Sequence, residues 1–201
     1  FADWVYPVHA LSHYGMAVRD ERILEIVRHS ADHLCRMQGP DGQWWWHFDS
    51  RTGRVIEPYP VYAVHQDAMA PMALFSAEEA CRTDYAPAIR RGLQWLIEPP
   101  ETDQSLFDRE AGVIWRKVCR REPGKLSRVL QAAASAVHPR CRAPGLDLLF
   151  RPGRIDFESR PYHMGWLLYT WPEDRVSEFS ERRGGTKHAG LCASVADTPP
   201  V

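Results

Sequence analysis

Several histidines and carboxylates in this chain of 201 residues stand at spacings that suit acid–base chemistry. His9 and His65 each close a Tyr-x-Val-His tetrapeptide, Tyr6–His9 and Tyr62–His65. Imidazole titrates near neutrality, so each reads as a candidate acid, base or ligand, or else as a repeated contact to a neighbouring loop. Asp67 follows in His65-Gln66-Asp67, where the first tetrapeptide has Leu11 at the equivalent place. The shared pattern therefore does not require this carboxylate. Asp67 is the first candidate for chemistry and His65 its first candidate partner; a helix cap is the structural alternative. Glu158 lies in the polar and aromatic cluster Asp156–His163. It reads either as an ion-pair partner of Arg160 or, with Asp67, as one of two carboxylates acting on a glycosidic bond. Trp46, Tyr59, Tyr62, Tyr162, His163 and Trp166 are the candidate substrate contacts. Aromatic faces of this kind stabilise a cation or stack on a sugar, where they are not simply packing. These residues call for no metal and no cofactor.

The elements that must position these groups read mostly as helices. Ile23, Val27, Ala31 and Leu34 form an apolar stripe over Glu21–Met37, with Asp20 as its cap. A second helix begins at Asp84, carries Pro87 in its first turn, runs through Ile89, Leu93 and Leu96, and stops at Pro99-Pro100. Leu126, Val129, Leu130, Ala133 and Val137 mark a third apolar stripe. Pro161–Trp171 reads as a fourth helix ended by Pro172. Trp44–Asp49 and Arg54–Ile56 read as the arms of a β-hairpin, and Arg116–Arg128 as a solvated loop and helix start.

The chain also repeats itself. Tyr6-Pro7-Val8-His9 followed by Met16-Ala17-Val18 matches Tyr62-Ala63-Val64-His65 followed by Met72-Ala73-Leu74, shifted by 56 residues. Asp49-x3-Gly53 before Val55-Ile56 matches Asp108-x3-Gly112 before Val113-Ile114, shifted by 59, as are Leu34 and Leu93. The unit is an inner helix opening at Tyr-x-Val-His, an amphipathic outer helix, and a loop with a small hairpin. A helical hairpin cannot bury both its faces alone, so stacked units must complete the core. The fold class expected is all-α, an α/α toroid or partial toroid of about three helical hairpins over residues 1–179. Residues 180–201, rich in Gly, Ser, Thr and Pro, read as a disordered tail.

Gln38-Gly39-Pro40-Asp41-Gly42-Gln43-Trp44 has the form Gln-x3-Gly-x-Trp, with Leu34 four residues ahead. It resembles the QW repeat of squalene–hopene cyclases and the wider terpenoid cyclase and protein prenyltransferase toroids. Arg91-Gly92-x2-Trp95-Leu96 keeps only the front half, so the resemblance covers about residues 6–120. It implies a motif that ties one outer helix to the next, and inner-helix ends that ring one cavity shared by His9 and His65. It also implies acid-triggered rearrangement or transfer of an isoprenoid among aromatic side chains. The Asp-x-Asp-Asp and Asp-Asp-x-x-Asp motifs of such enzymes do not occur, and the prenyltransferase zinc set fits no local pattern. A carbohydrate-active α/α barrel and a non-catalytic binding scaffold are the alternatives.

Charge and composition bound the partners. Lys+Arg is 25 against Asp+Glu 26, which gives no basic footprint for nucleic acid. Apolar runs are too short to span a membrane. Cys35, Cys81, Cys119, Cys141 and Cys192 form no Cys-x-x-Cys and read as reduced thiols of a cytoplasmic protein. The N-terminus as given shows no secretory signal; because it opens on Phe1, a processed or truncated start stays open. The expected partner is a small molecule or glycan, with a homo-oligomer or a further portion of chain completing a partial ring.

Overall fold

A computed structural model describes residues 1–49, 51–138, 141 and 143–182. It is mostly helical with small antiparallel sheets. The chain divides into two compact units, Phe1–Thr170 and the segment from Trp171 onward.

In the first unit α1 (Ala2–Val18) is followed by α2 (Glu21–Arg36). Asp20 Oδ1 accepts from Arg22 N at 3.0 Å and caps α2, whose Val27, Ala31 and Leu34 are buried as their spacing predicts. Gly15 lets the two helices close: a Cβ there would lie 2.7 Å from Leu24 Cδ2. A π-helical turn, His65–Met69, leads into α3 (Ala70–Cys81). Next comes α4 (Ala86–Ile97), at whose start Asp84 Oδ1 accepts from Ala86 N. The helices α1 and α3 run in the same direction. Phe1 stacks on His65 near their starts, and His9 meets Ser76 further along both.

Two hairpins follow the helix pairs. β1 (His47–Phe48) pairs with β2 (Val55–Glu57), and β4 (Phe107–Asp108) with β5 (Val113–Ile114). Their turns are built alike. Asp49 Oδ1 accepts from Arg51 N and Thr52 N, Asp108 Oδ1 from Ala111 N, and Gly53 and Gly112 both take φ +66°. The 59-residue match is thus a real structural repeat.

The Tyr-x-Val-His match holds only in part. Tyr6 lies within α1, whereas Tyr62 lies in strand β3 (Val61–Tyr62), and His9 is mid-helix while His65 opens the π-turn. From Pro7 and Ala63 onward both segments are helical, the second through the π-turn.

Two further readings are corrected. Beyond the expected small hairpins, β3, β6 (Lys117–Arg120) and β7 (Pro152–Asp156) form a three-stranded antiparallel sheet in the order β3-β6-β7. Part of the stretch read as solvated loop is therefore its central strand. Val61, Val118 and Ile155 from that sheet pack with Trp95, Leu96 and Leu106 in a core. In α5 (Leu126–Val137) the polar side is inward. Ser127 and Gln131 are buried, and Leu126, Val129, Leu130 and Val137 are exposed. Glu122 accepts from Ser127 Oγ, while Gln131 donates to Cys141 O and accepts from Ala143 N; these bonds orient the helix. After α6 (Leu146–Leu149), α7 (Pro161–Thr170) completes the unit.

In the second unit α8 (Glu173–Glu181) carries Phe179 edge-on to Trp171. This helix extends past the boundary at 179 into residues read as tail; residues 183–201 lie outside the described residues. Cys35, Cys81, Cys119 and Cys141 are free thiols.

Candidate functional site

The π-turn is where polar groups are buried together. His65, Gln66 and Asp67 are all inaccessible or nearly so. Gln66 fixes the turn from below. Its Oε1 accepts from Trp44 N at 2.8 Å, and its Nε2 donates to Trp44 O and Tyr62 O, both at 3.0 Å. A π-turn interrupts the regular helical ladder and recurs at functional positions because it re-aims side chains.

Asp67 is held by His163 of α7, not by His65. His163 Nε2 lies 2.8 and 2.9 Å from the two carboxylate oxygens, and both residues are buried. The reason is directional: side chains two positions apart on a helical turn point away from each other. Burial pushes the Asp67 carboxyl above the ordinary carboxylate range, against the opposing pull of His163. The imidazole nitrogen and the carboxylate oxygens are thus held within hydrogen-bond reach of one another.

His65 is turned the other way. Its ring stacks on Phe1 at 4.2 Å and lies 5.2 Å from Tyr62. Burial holds its pKa well below the usual value, so the imidazole is neutral, and its Nδ1 has no hydrogen-bond partner among the described residues. Tyr62 is a hub: Trp46 meets its ring edge-on at 5.6 Å, and Arg116 and Lys117 lie over it at 5.6 and 5.4 Å.

His9 belongs to a different cluster. Its Nδ1 is 2.7 Å from Ser76 Oγ, its Nε2 3.0 Å from Tyr169 OH, and His13 lies edge-on beside it. About 12 Å of helix rise separates it from Phe1, on which His65 stacks, so the two imidazoles do not share one pocket. Trp166 stacks on Tyr6 at 5.5 Å, between these two clusters along α1 and α7.

Glu158 takes the ion-pair role. Arg116 and Arg160 both engage it, Arg160 at 2.7 Å, and these bonds hold its carboxyl below the ordinary value. Tyr59 sits apart, donating to Glu101 Oε1 under the Arg120 guanidinium. Tyr162 is exposed on α7. Sequence spacing gave His163 a substrate-contact role but no link to Asp67, 96 residues away. It also missed Ser76, Tyr169 and the cations around Tyr62. Among the described residues, no group of three or more His, Cys, Asp or Glu is placed to hold a metal ion, and no helix is long and apolar enough to cross a membrane.

No protein-family model, no curated protein and no solved structure matches this chain.

Proposed function

We propose that this chain is a proton-transfer enzyme of α/α-toroid type acting on an apolar small molecule, with isoprenoids the first class to test. The observation that carries the reading is the buried Asp67–His163 pair on a π-turn. A carboxyl whose hold on its proton is strengthened by burial, and which is oriented by an imidazole, is a general acid suited to a weakly basic substrate.

In that role Asp67 delivers its proton to one carbon of a double bond. The π pair becomes the new C–H bond, and a cation forms on the neighbouring carbon. Aromatic faces such as Tyr6 and Trp166 stabilise that cation, and His163 supports Asp67 as it regains a proton. The toroid part of the proposal is supported by parallel α1 and α3, each followed by an outer helix, and by Gln38. Its Nε2 donates to Gly42 O and to Ala88 O of α4, the tie between outer helices that a QW-like loop makes. Glu158 is engaged by the Arg116 and Arg160 guanidiniums, which favours its ion-pair role over the two-carboxylate glycan reading.

The test is incubation with squalene and with geranylgeraniol in deuterated buffer, read by mass spectrometry. Wild type should place deuterium on carbon. Asp67→Asn should lose this, and His163→Gln should slow it by about a hundredfold or more. A folded wild type that labels neither polyene at any pH overturns the isoprenoid reading. Labelling that survives in Asp67→Asn overturns the acid.

A further inference from the structure

The side of His65 away from Asp67 carries an unbalanced set of charges. Arg116 and Lys117 lie over the Tyr62 ring, and Arg128 of α5 lies 5.2 Å over the Trp46 ring. The two rings touch edge to face, so the three cations lie against one pair of joined rings. Asp156 pairs with Arg116 and Lys117, at 3.6 and 3.0 Å, and Glu158 with Arg116 and Arg160. The carboxylates of Asp156 and Glu158 are thus shared among Arg116, Lys117 and Arg160. Arg128 and the Phe1 ammonium, which donates to Trp46 O at 3.1 Å, add positive charge. Glu57, which acts on the same His47 ring, is paired with Arg120. Arg128 makes no ion pair among the described residues, although it is close enough to depress the His47 pKa after burial has done so.

Hydrogen bonding on the same surface is also incomplete. Five buried side-chain polar atoms have no partner among the described residues, and three of them are here: His47 Nδ1, His65 Nδ1 and Arg116 Nε. Buried polar atoms are normally satisfied, so a local concentration of unsatisfied ones needs a cause. An anion bound here would answer both observations at once, since it would balance the positive charge and accept from Arg116 Nε and from any imidazole Nδ1 in its N–H form. Guanidinium groups present their N–H pairs to two oxygens of one anion, which phosphate and carboxylate both supply.

We propose that Arg128, Arg116 and Lys117, over Trp46 and Tyr62, form a binding site for the oxyanion head of a ligand, phosphate or carboxylate. Arg128 is its main determinant, because its charge is the one not matched by a carboxylate. The site adjoins His65 through Tyr62, on the side turned away from Asp67. Binding of the head itself does not depend on the acid role of Asp67.

Calorimetric titration of the full chain at low ionic strength with inorganic pyrophosphate, and separately with benzoate, tests this. Saturable binding of pyrophosphate alone identifies a phosphoryl head, and of benzoate alone a carboxylate; either supports the site. Arg128→Gln should weaken that binding by about tenfold or more while its melting curve stays that of wild type. Arg22→Gln, an exposed arginine on α2, should change nothing, and added salt should weaken binding. Asp67→Asn should retain it, which separates this site from the proton-transfer reading. No saturable binding of either probe, or full binding by Arg128→Gln, overturns the proposal.

Discussion

Gln66 clasps the backbone of Trp44 on both sides, accepting from its N–H and donating to its carbonyl. The turn that carries Asp67 is thus fastened to the loop that carries Trp44, and the Gln66 and Trp44 side chains are both fully buried. Gln66→Ala would leave two buried backbone groups without partners, each costing about 1–3 kcal/mol. A loss of about 2–4 kcal/mol in urea unfolding is expected; a loss within error of zero would show that water replaces the amide.

Trp44 itself lies on Gly92 of α4, where a Cβ would come within 2.4 Å of its ring. Trp44→Ala should cost about 3–5 kcal/mol, the usual range for a large aromatic removed from a core. Gly92→Ala should cost about 1–3 kcal/mol by overpacking. The double variant should lose less than the sum, because the shortened Trp44 makes room for the methyl group. Strict additivity would mean that the two residues do not press on each other.

Local signals were the legible ones. The stripe of α2 and its Asp20 cap and the Asp…Gly hairpin turns all depend on neighbours within a few residues. The Asp67–His163 pair depends on α7 returning to the π-turn from 96 residues away, which no local spacing records. The reversal of α5 was hidden for a related reason. Ser127 and Gln131 face inward because Glu122, Cys141 and Ala143 offer them hydrogen bonds, and this outweighs an apolar stripe that propensity favours. His9 and His65 looked equivalent in letters, but one sits in a helix and the other follows a strand.

Glu57 and Arg120 form a buried ion pair at 2.6 Å, and Arg120 also donates to Asp147 and Phe150 O. Breaking it by Glu57→Ala should cost about 3–5 kcal/mol, because a buried guanidinium loses its buried counter-charge. Glu57→Leu with Arg120→Met should cost less than either single change, since no charge is then stranded. A double variant worse than both singles would show that the pair gives stability beyond mutual neutralisation.

His65 makes the fold sensitive to acid. Its folded pKa is depressed, so the unfolded chain takes up a proton below about pH 6.5 that the folded chain refuses. Stability from this residue is present above that value and falls as the pH drops. His65→Phe keeps the stacking on Phe1 and Tyr62 and removes the titration. The variant should gain on wild type steadily as unfolding is measured from about pH 7 to about pH 5; parallel curves would mean that His65 is protonated in the fold.

Asp67 has the opposite sign. Its folded pKa is raised above the unfolded value of about 4, so the folded chain binds the proton more tightly. That contribution is fully present below about pH 4 and is lost as the pH rises through the raised value. Asp67→Asn should therefore be at least as stable as wild type at neutral pH and lose ground to it only on acidification. Unfolding of the two proteins across a pH series gives the slope directly. If wild type instead gains on the variant as the pH rises, His163 is holding a carboxylate rather than sharing its proton. Asp67 would then be one half of a structural ion pair, and the general acid would have to be sought elsewhere.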